Sequence, residues 1–262
     1  MEPTGELEDD EELDAGGPEP YEYDATVGPG DPSMPELLRS GRVEVLGHMP
    51  WSSNATFLVE VHLDGDHAPA VYKPQRGERP LWDFPPGLWR REVAAYELSE
   101  AMGVGLVPPT VERTDAPAGP GSLQAFVPAR FEEHYFTLRD RDDLQLPLRQ
   151  LCSFDLVANS ADRKGGHCLV DDDGRLWAID NGLTFHEDPK LRTVLWDFAG
   201  EPLPDAVVAS LERLLDAGVP PRLTELLTGP EATGVLDRAR ALLSAGRFPH
   251  DPTGRRYPWP LV

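Results

Sequence analysis

The sequence NSADRKGGH, residues 159–167, places an Asp, an Arg, a Lys, two Gly and a His in nine consecutive positions. It follows LPLRQLCSFDLVANS (146–160), a mostly apolar stretch that predicts a helix buried on most sides. It precedes HCLVDDDGRLWAIDNG (167–182), in which two apolar runs flank an Asp-rich turn and predict a β-hairpin. A buried helix thus leads into a polar loop, and a hairpin brings a second Asp back beside that loop.

Asp162 in this loop and Asp180 at the end of the hairpin are expected to converge on one cleft. One carboxylate of such a pair can act as a base or orient a nucleophile, and the other can bind a metal. Mg²⁺ takes oxygen ligands and is usually held by one or two carboxylates together with substrate phosphates. Two simpler interpretations stay open: Asp162 and Arg163 can form an ordinary loop ion pair, and Asp180 can begin a plain turn.

Residues 36–130 predict a small antiparallel sheet with one helix. RVEVLGH (42–48), ATFLVEVHL (55–63) and PAVYKP (69–74) alternate between apolar and polar residues, as strands with one buried face do. The first two strands are joined by GHMPWSSN (47–54), which is rich in residues typical of loops. The three strands therefore predict a meander.

The sequence LWRREVAAYELSEAMG (88–103) then predicts an amphipathic helix that ends at a glycine. LVPPTVERT (106–114) and SLQAFVPA (122–129) complete the sheet, and from residue 131 onward the pattern is mainly helical. The fold class is therefore α+β, with a β-rich first part and a helical second part. A cleft between two such parts is a favoured place for a ligand.

A lysine in the third strand carries the next piece of chemistry. Lys73 lies within VYKP, where a charged ammonium is costly to bury unless it is paired. Glu92, near the start of the following helix, is the candidate partner, although a glutamate on a helix is more often solvated. A lysine paired in this way can direct its ammonium at a nucleotide phosphate.

In this order, the strand–loop–strand unit, Lys73, Glu92, the loop DRKGGH and the turn DNG resemble the protein-kinase-like fold. The likeness is to its atypical branch, the phosphoinositide 3-/4-kinase-like and HipA-type kinases, and in particular to small actinobacterial proteins grouped with the former. It covers roughly residues 40–200. The resemblance implies a two-lobed fold, with an N-lobe at 36–130 and a C-lobe at 131–262. It also implies binding of ATP with Mg²⁺ or Mn²⁺ in the cleft and transfer of the γ-phosphoryl group to a hydroxyl.

Roles for the charged residues follow from that resemblance. It implies that Lys73 contacts the α- and β-phosphates, that Glu92 holds Lys73 and that Asp180 binds the metal. His167 occupies the place of the family's metal-binding Asn, and imidazole suits softer metals better than Mg²⁺. A Mn²⁺ site, a phosphate contact or the lack of a second metal would each be consistent with this departure.

The resemblance also implies a catalytic loop made of Asp162, Arg163 and Lys164. Asp162 is implied to orient or deprotonate the acceptor hydroxyl. The transition state of phosphoryl transfer is loose, so an Asp of ordinary pKa suffices to accept the proton late. Lys164 stands where the family has a His.

The remaining nucleotide contacts are expected from two segments. The connection 47–54 would cover the phosphates, and because it has one Gly, Ser52, Ser53 and backbone N–H groups would make the contacts. The segment that would lie against the adenine includes Gln124, Phe126 and Val127.

Composition bounds the other possibilities. The formal net charge is −22, and residues 1–35 contain no Lys or Arg, so they are expected to form a disordered acidic tail that solvates the protein or binds a partner. An acidic chain of this kind argues against nucleic acid as a partner. Two cysteines and the lack of a long apolar run predict a reduced, cytoplasmic protein without a transmembrane segment.

The acceptor stays open between a protein, a small molecule and an inositol lipid. The segment after Asp180, LTFHEDPKLR (183–192), offers only Lys190 and Arg192 to a phosphorylated headgroup, which argues against the lipid. Two further hypotheses accompany the kinase: a nucleotide-binding regulatory pseudokinase, and a scaffold without turnover.

Overall fold

The computed structural model describes residues 24–49 and 54–262. Its first part is a five-stranded antiparallel sheet in the order β1-β2-β3-β5-β4. The strands are β1 (Arg42–His48), β2 (Phe57–Leu63), β3 (Asp66–Pro74), β4 (Thr110–Arg113) and β5 (Gly121–Ala125). Strand β3 is therefore the central strand, and its backbone pairs with β2 on one edge and with β5 on the other.

The turn between β2 and β3 has a clear local cause. Leu63 pairs with Asp66, which leaves a two-residue connection. Both of its residues, Asp64 and Gly65, have positive φ, at 53° and 96°. A type I′ turn requires this conformation at both central positions, and Asp-Gly is among the sequences that adopt it readily. The turn fixes the register that places Lys73 near the end of β3.

Residues 24–35, which belong to the predicted disordered tail, are ordered in the structure. Within residues 24–35, Val27 and Met34 are buried in the core of the sheet. The Thr26 N–H donates to His67 O at 2.9 Å, and helix α1 spans Met34–Ser40. A few apolar side chains and backbone hydrogen bonds suffice to dock this segment, so the prediction of disorder is wrong for residues 24–35. For residues 1–23 it lies outside the described residues.

Helix α2 (Leu88–Met102) joins the sheet to the helical part. Its apolar side chains, among them Val93 and Leu98, belong to the same continuous core as the helices that follow. Gly103 ends the helix in the left-handed conformation, with φ of 68°, as a C-terminal glycine does. The packing of α2 on the C-lobe means that one rigid core supports elements from both lobes.

The second part contains five helices and one hairpin among the described residues. The helices are α3 (Tyr135–Leu138), α4 (Gln145–Ala158), α5 (Asp205–Ala217), α6 (Pro221–Leu226) and α7 (Gly229–Ala245). The hairpin pairs β6 (Cys168–Val170) with β7 (Leu176–Ala178). Helix α4 is buried along most of its length, as its composition predicts. The predicted α+β class, a β-rich lobe followed by a mainly helical lobe, is confirmed.

Within the described ranges, 24–49 and 54–262, no helix is long and apolar enough to cross a membrane.

Candidate active site

A cavity of about 500 Å³ is lined by residues of both lobes. It is of the size that small-molecule and cofactor sites have in proteins. Its lining includes six residues that the sequence analysis singled out: Lys73, Glu92, Asp162, Lys164, His167 and Asp180. The expected convergence of the two aspartates on one cleft is therefore observed.

Lys73 connects the two lobes through its ammonium. Its Nζ donates to Glu92 Oε1 on α2 and, at 2.9 Å, to Asp180 Oδ1 at the end of the hairpin. The Glu92 side chain is buried, so its carboxylate is well shielded from water. Desolvation opposes the charge on Lys73, but Asp180 and Glu92 outweigh it and raise the pKa of Lys73 above its usual value. Lys73 is therefore a fixed positive charge in the cavity at all physiological pH values.

Asp180 adopts a left-handed backbone conformation. Its φ is 56°, in the left-handed region that residues other than Gly rarely adopt. This turn of the chain keeps the carboxylate at the cavity surface, where the side chain is 53% exposed. The ammonium of Lys73 lowers the pKa of Asp180 below its usual range, despite desolvation. Asp180 is therefore an ionised carboxylate that a cation or ligand can reach.

Asp162 lies on the same wall, beside Lys164. The Lys164 Nζ is 3.4 Å from Asp162 Oδ2. Burial raises the pKa of Asp162, an effect that Lys164 opposes and the charge of Asp180 reinforces. A carboxylate with a raised pKa accepts a proton more readily, which suits a general base.

Arg163, by contrast, faces away from the cavity. Its side chain is 1% exposed and pairs with Asp155 of α4, which is 0% exposed. The Arg163 Nε lies 3.1 and 3.2 Å from the two oxygens of Asp155, and Thr193 Oγ1 donates to the same carboxylate at 3.0 Å. The prediction that Arg163 is catalytic is therefore replaced by a positioning role, because the buried pair leaves it no access to a ligand.

The rest of the Arg163 guanidinium connects the loop after α4 to the end of the hairpin. Its terminal nitrogens donate to Ile179 O at 2.7 Å and to Asn181 Oδ1 at 2.5 Å. These two acceptors flank Asp180 in the chain. One buried arginine thus sets the spacing between the Asp162 loop and Asp180.

Helix α2 is fixed to the same region by two neighbouring residues. The second carboxylate oxygen of Glu92 accepts the Asn181 N–H at 2.9 Å. Arg91, buried beside it, donates to Thr184 O at 2.9 Å and to Glu231 of α7 at 2.6 Å. Glu92 therefore meets Lys73 from a helix that the C-lobe already holds in place.

The C-terminal segment contacts the loop after α4 and also the chain at Thr193. Gly165 N donates to Leu261 O at 2.7 Å, and Thr193 N donates to Arg256 O at 3.1 Å. A side chain at position 165 would meet the ring of Phe136 and this carbonyl. A glycine at this position therefore eases the close approach of the loop to Phe136 and to the C-terminal segment.

His167 was predicted as a metal ligand. Its Nδ1 is 3.4 Å from the backbone N–H of Lys164, and its Nε2 is 3.4 Å from Asp180 Oδ2. Burial lowers the pKa of His167 to about 4, so the ring is neutral at pH 7. If Nδ1 accepts from Lys164, the proton lies on Nε2 and points at Asp180. In this tautomer His167 orients the carboxylate and offers no lone pair to a metal.

The donor groups of the site suit a divalent metal that is bound together with a phosphate chain. The described residues contain no group of three His, Cys, Asp or Glu side chains placed to hold a metal. Asp180 presents an accessible, ionised carboxylate, and Asp162 lines the same cavity. Mg²⁺ commonly uses one or two protein carboxylates and takes its other ligands from phosphates and water. The donor set fits a metal held jointly with a bound phosphate chain and does not fit a centre made by protein alone.

The predicted nucleotide contacts have mixed outcomes. Ser52 and Ser53 lie outside the described residues. Gln124 Nε2 donates to Thr110 Oγ1 at 2.8 Å inside the sheet, and Val127 is buried against the hairpin. Neither these two nor Phe126 lines the cavity, so an adenine contact by this segment stays a prediction.

Several positioning residues were missed. They are Asp155, Asn159, Asn181, Arg91 and Glu231. Asp155 had a signal in the sequence: a carboxylate inside the apolar helix LCSFDLVA must be paired if it is buried. The amide of Asn159 bonds to three backbone groups of the segment 186–190 at 2.7–3.0 Å, and no sequence pattern reveals such a contact.

The sheet, the buried helix α4 and the Lys73–Glu92–Asp180 cluster define a protein with a kinase-like fold. The solved structure of the proinflammatory kinase CtkA from Helicobacter pylori is similar, with a TM-score of 0.50 and 7% identity, over 80% of this chain and 94% of that chain. A hydra Fam20 structure solved with sugar gives a TM-score of 0.49 and 13% identity, over 80% of this chain and 86% of that chain. At such identities the likeness concerns the fold alone.

Comparison of sequences gives the family. The chain is 38% identical to protein Rv2133c of Mycobacterium tuberculosis over 264 residues, which covers 86% of this chain and 94% of that protein. The chain belongs to the same family as Rv2133c. A scan against protein-family models gives no match. Membership among the phosphoinositide 3-/4-kinase-like or HipA-type kinases therefore stays a prediction.

Proposed function

We propose that this protein is an ATP-dependent phosphotransferase that moves the γ-phosphoryl group to a hydroxyl acceptor. The observation that carries the proposal is the position of Lys73. Its ammonium is held between Glu92 and Asp180 in a cavity that Asp162 also lines. A fixed cation, an accessible carboxylate for a metal and a separate carboxylate that can orient the acceptor hydroxyl are the parts that phosphoryl transfer needs.

Each residue has a role that its contacts support. Lys73 binds the phosphate chain by charge and hydrogen bonds, and Glu92 keeps its ammonium in place. Asp162 orients the acceptor hydroxyl and takes its proton as the bond to phosphorus forms. Arg163 acts as a positioning residue. Its contacts with Asp155 and with the residues flanking Asp180 fix the distance between Asp162 and Asp180.

The charge of the cavity predicts that binding depends on a divalent metal. Among the described residues, the ionisable lining comprises three cations and four carboxylates, and His167 is neutral at pH 7. Such a cavity is slightly negative and repels a triphosphate. Asp180, with phosphate oxygens, would hold Mg²⁺ or Mn²⁺, which neutralises the triphosphate when bound.

The segment after Asp180 favours an acceptor that carries no phosphate groups. Lys190, one of the two basic residues after Asp180, lies 3.5 Å from the Asp83 carboxylate and its side chain is mostly buried. Only Arg192 then remains in that segment for a phosphorylated headgroup. This argues further against an inositol lipid and favours a protein or an uncharged small-molecule hydroxyl.

Transfer is tested by ADP formation from ATP with Mg²⁺ or Mn²⁺, using water or a small polyol as the acceptor. We expect Asp162→Asn to lower the rate by about 10²–10⁴-fold, because the general base is lost. Its ATP affinity should stay within a few-fold of wild type, since Asp162 does not bind the phosphates. Asp172→Asn, at a side chain that is 85% exposed in the hairpin turn, is the matched control. Equal rates in wild type and Asp162→Asn would contradict the role of Asp162.

A second candidate is a nucleotide-binding regulator without turnover. It is favoured by His167, whose nitrogens both face other partners in a site where the family resemblance implies a second metal ligand. ATP binding of normal affinity with no ADP formed under either metal would support this alternative.

A further inference from the structure

Arg79 lines the cavity without taking part in the cluster around Lys73. Its side chain is exposed, and its guanidinium forms no hydrogen bond or ion pair with any residue of the described ranges. Since a guanidinium cannot lose its proton at physiological pH, it is a permanent positive charge at the cavity surface.

The other two cations of the cavity are already paired. Lys73 bonds to Glu92 and Asp180, and Lys164 lies 3.4 Å from Asp162. Among the described cavity residues, Arg79 is thus the cation whose charge is not offset by a carboxylate contact.

The carboxylate next to Arg79 in the chain is also engaged. The two oxygens of Glu78 accept the N–H groups of Gly87 and Trp89, each at 2.8 Å, at the start of α2. Glu78 therefore caps the helix and makes no ion pair with Arg79.

The backbone beneath Arg79 is held on its other side by the segment after β1. The Arg79 N–H donates to Asn54 Oδ1 at 2.9 Å, and Ala55 N donates to Gly77 O at 3.1 Å. A Cβ at Gly77 would lie 2.7 Å from the Cβ of Ala55, so only glycine permits this approach. Arg79 is thus placed beside the end of the 47–54 connection, on a backbone that is fixed from two directions.

We infer that Arg79 is a nucleotide-binding residue that contacts the phosphate chain. A guanidinium donates two parallel hydrogen bonds to phosphate oxygens, and such charge-assisted bonds are about twice as strong as neutral ones. The inference deepens the proposed function, on which it rests for the identity of the nucleotide. It gives a role to the one described lining cation that has no carboxylate partner.

The test measures dissociation constants of the whole chain for ATP, adenosine and inorganic tripolyphosphate at fixed free Mg²⁺. Arg79→Ala is compared with Arg79→Lys and with Arg76→Ala. Arg76 is an exposed arginine three positions upstream that does not line the cavity, so it controls for the loss of one surface charge. Thermal unfolding of each variant confirms that the fold is kept.

We expect Arg79→Ala to weaken ATP and tripolyphosphate binding by about tenfold to a hundredfold and to leave adenosine binding unchanged. Arg79→Lys should recover part of the loss, and Arg76→Ala should match wild type. Equal ATP affinity in wild type and Arg79→Ala would overturn the inference alone. Wild-type binding of tripolyphosphate that depends on Arg79, without ATP turnover, would uphold the inference and contradict the phosphotransferase. Failure of wild type to bind either phosphate compound would overturn both.

Discussion

The buried pair of Asp155 and Arg163 gives the most quantitative prediction, for the variant Asp155→Ala. The two side chains are 0% and 1% exposed. The substitution removes the hydrogen bonds from Arg163 and the one from Thr193, and it leaves a guanidinium buried without a counter-charge. Removing one partner of a buried pair typically costs about 3–5 kcal/mol of stability. We therefore expect the free energy of unfolding to fall by about that amount.

The assay is urea unfolding followed by the fluorescence of the six tryptophans. At an m-value of about 3 kcal/mol per M, the midpoint should fall by about 1–2 M urea while the slope stays unchanged. Asp172→Ala, in the exposed hairpin turn, should change stability by less than about 0.5 kcal/mol. A loss below about 1 kcal/mol for Asp155→Ala would contradict burial of this pair, because it would mean that water reaches the guanidinium.

Two other changes test how the site is held. Glu231→Gln removes the buried charge that pairs with Arg91, so calorimetry should show a lower melting temperature and a lower ATP affinity. Glu225→Gln, at an exposed side chain, is the control and should change neither quantity. In the metal-free protein, the pKa of His167 is lowered to about 4, so folding favours the neutral ring. The stability that this preference contributes is complete above pH 6.5 and is lost as the pH falls towards 4. Thermal unfolding against pH should therefore be flatter between pH 4 and 6.5 in His167→Gln, and an unchanged profile would contradict burial of a neutral ring.

The elements with regular periodicity could be predicted from the sequence. Strand β1 has the predicted bounds, 42–48, and the predicted meander of β1, β2 and β3 is observed. The convergence of Asp162 and Asp180 followed from a buried helix, a loop and a hairpin in sequence. These features depend on local pattern, which a sequence displays directly.

Features that depend on tertiary packing could not be predicted. The order of the strands places β5 between β3 and β4, which no local pattern specifies. The sequence spacing predicted that Arg163 lies near the site. It could not show that the Arg163 side chain points at Asp155 instead of the cavity. Likewise, the composition of residues 24–35 did not reveal that Val27 and Met34 find an apolar surface to pack on.

Thermal stability reports directly on whether this cavity binds ATP with a divalent metal at Asp180. At about 100 times its dissociation constant, a ligand stabilises the native state by about 2.7 kcal/mol, which raises the melting temperature by about 5–10 °C in a chain of this size. We predict such a shift with ATP and Mg²⁺ or Mn²⁺, a much smaller one with ATP alone, and none in Asp180→Ala. No shift in wild type under any of these conditions would contradict the account.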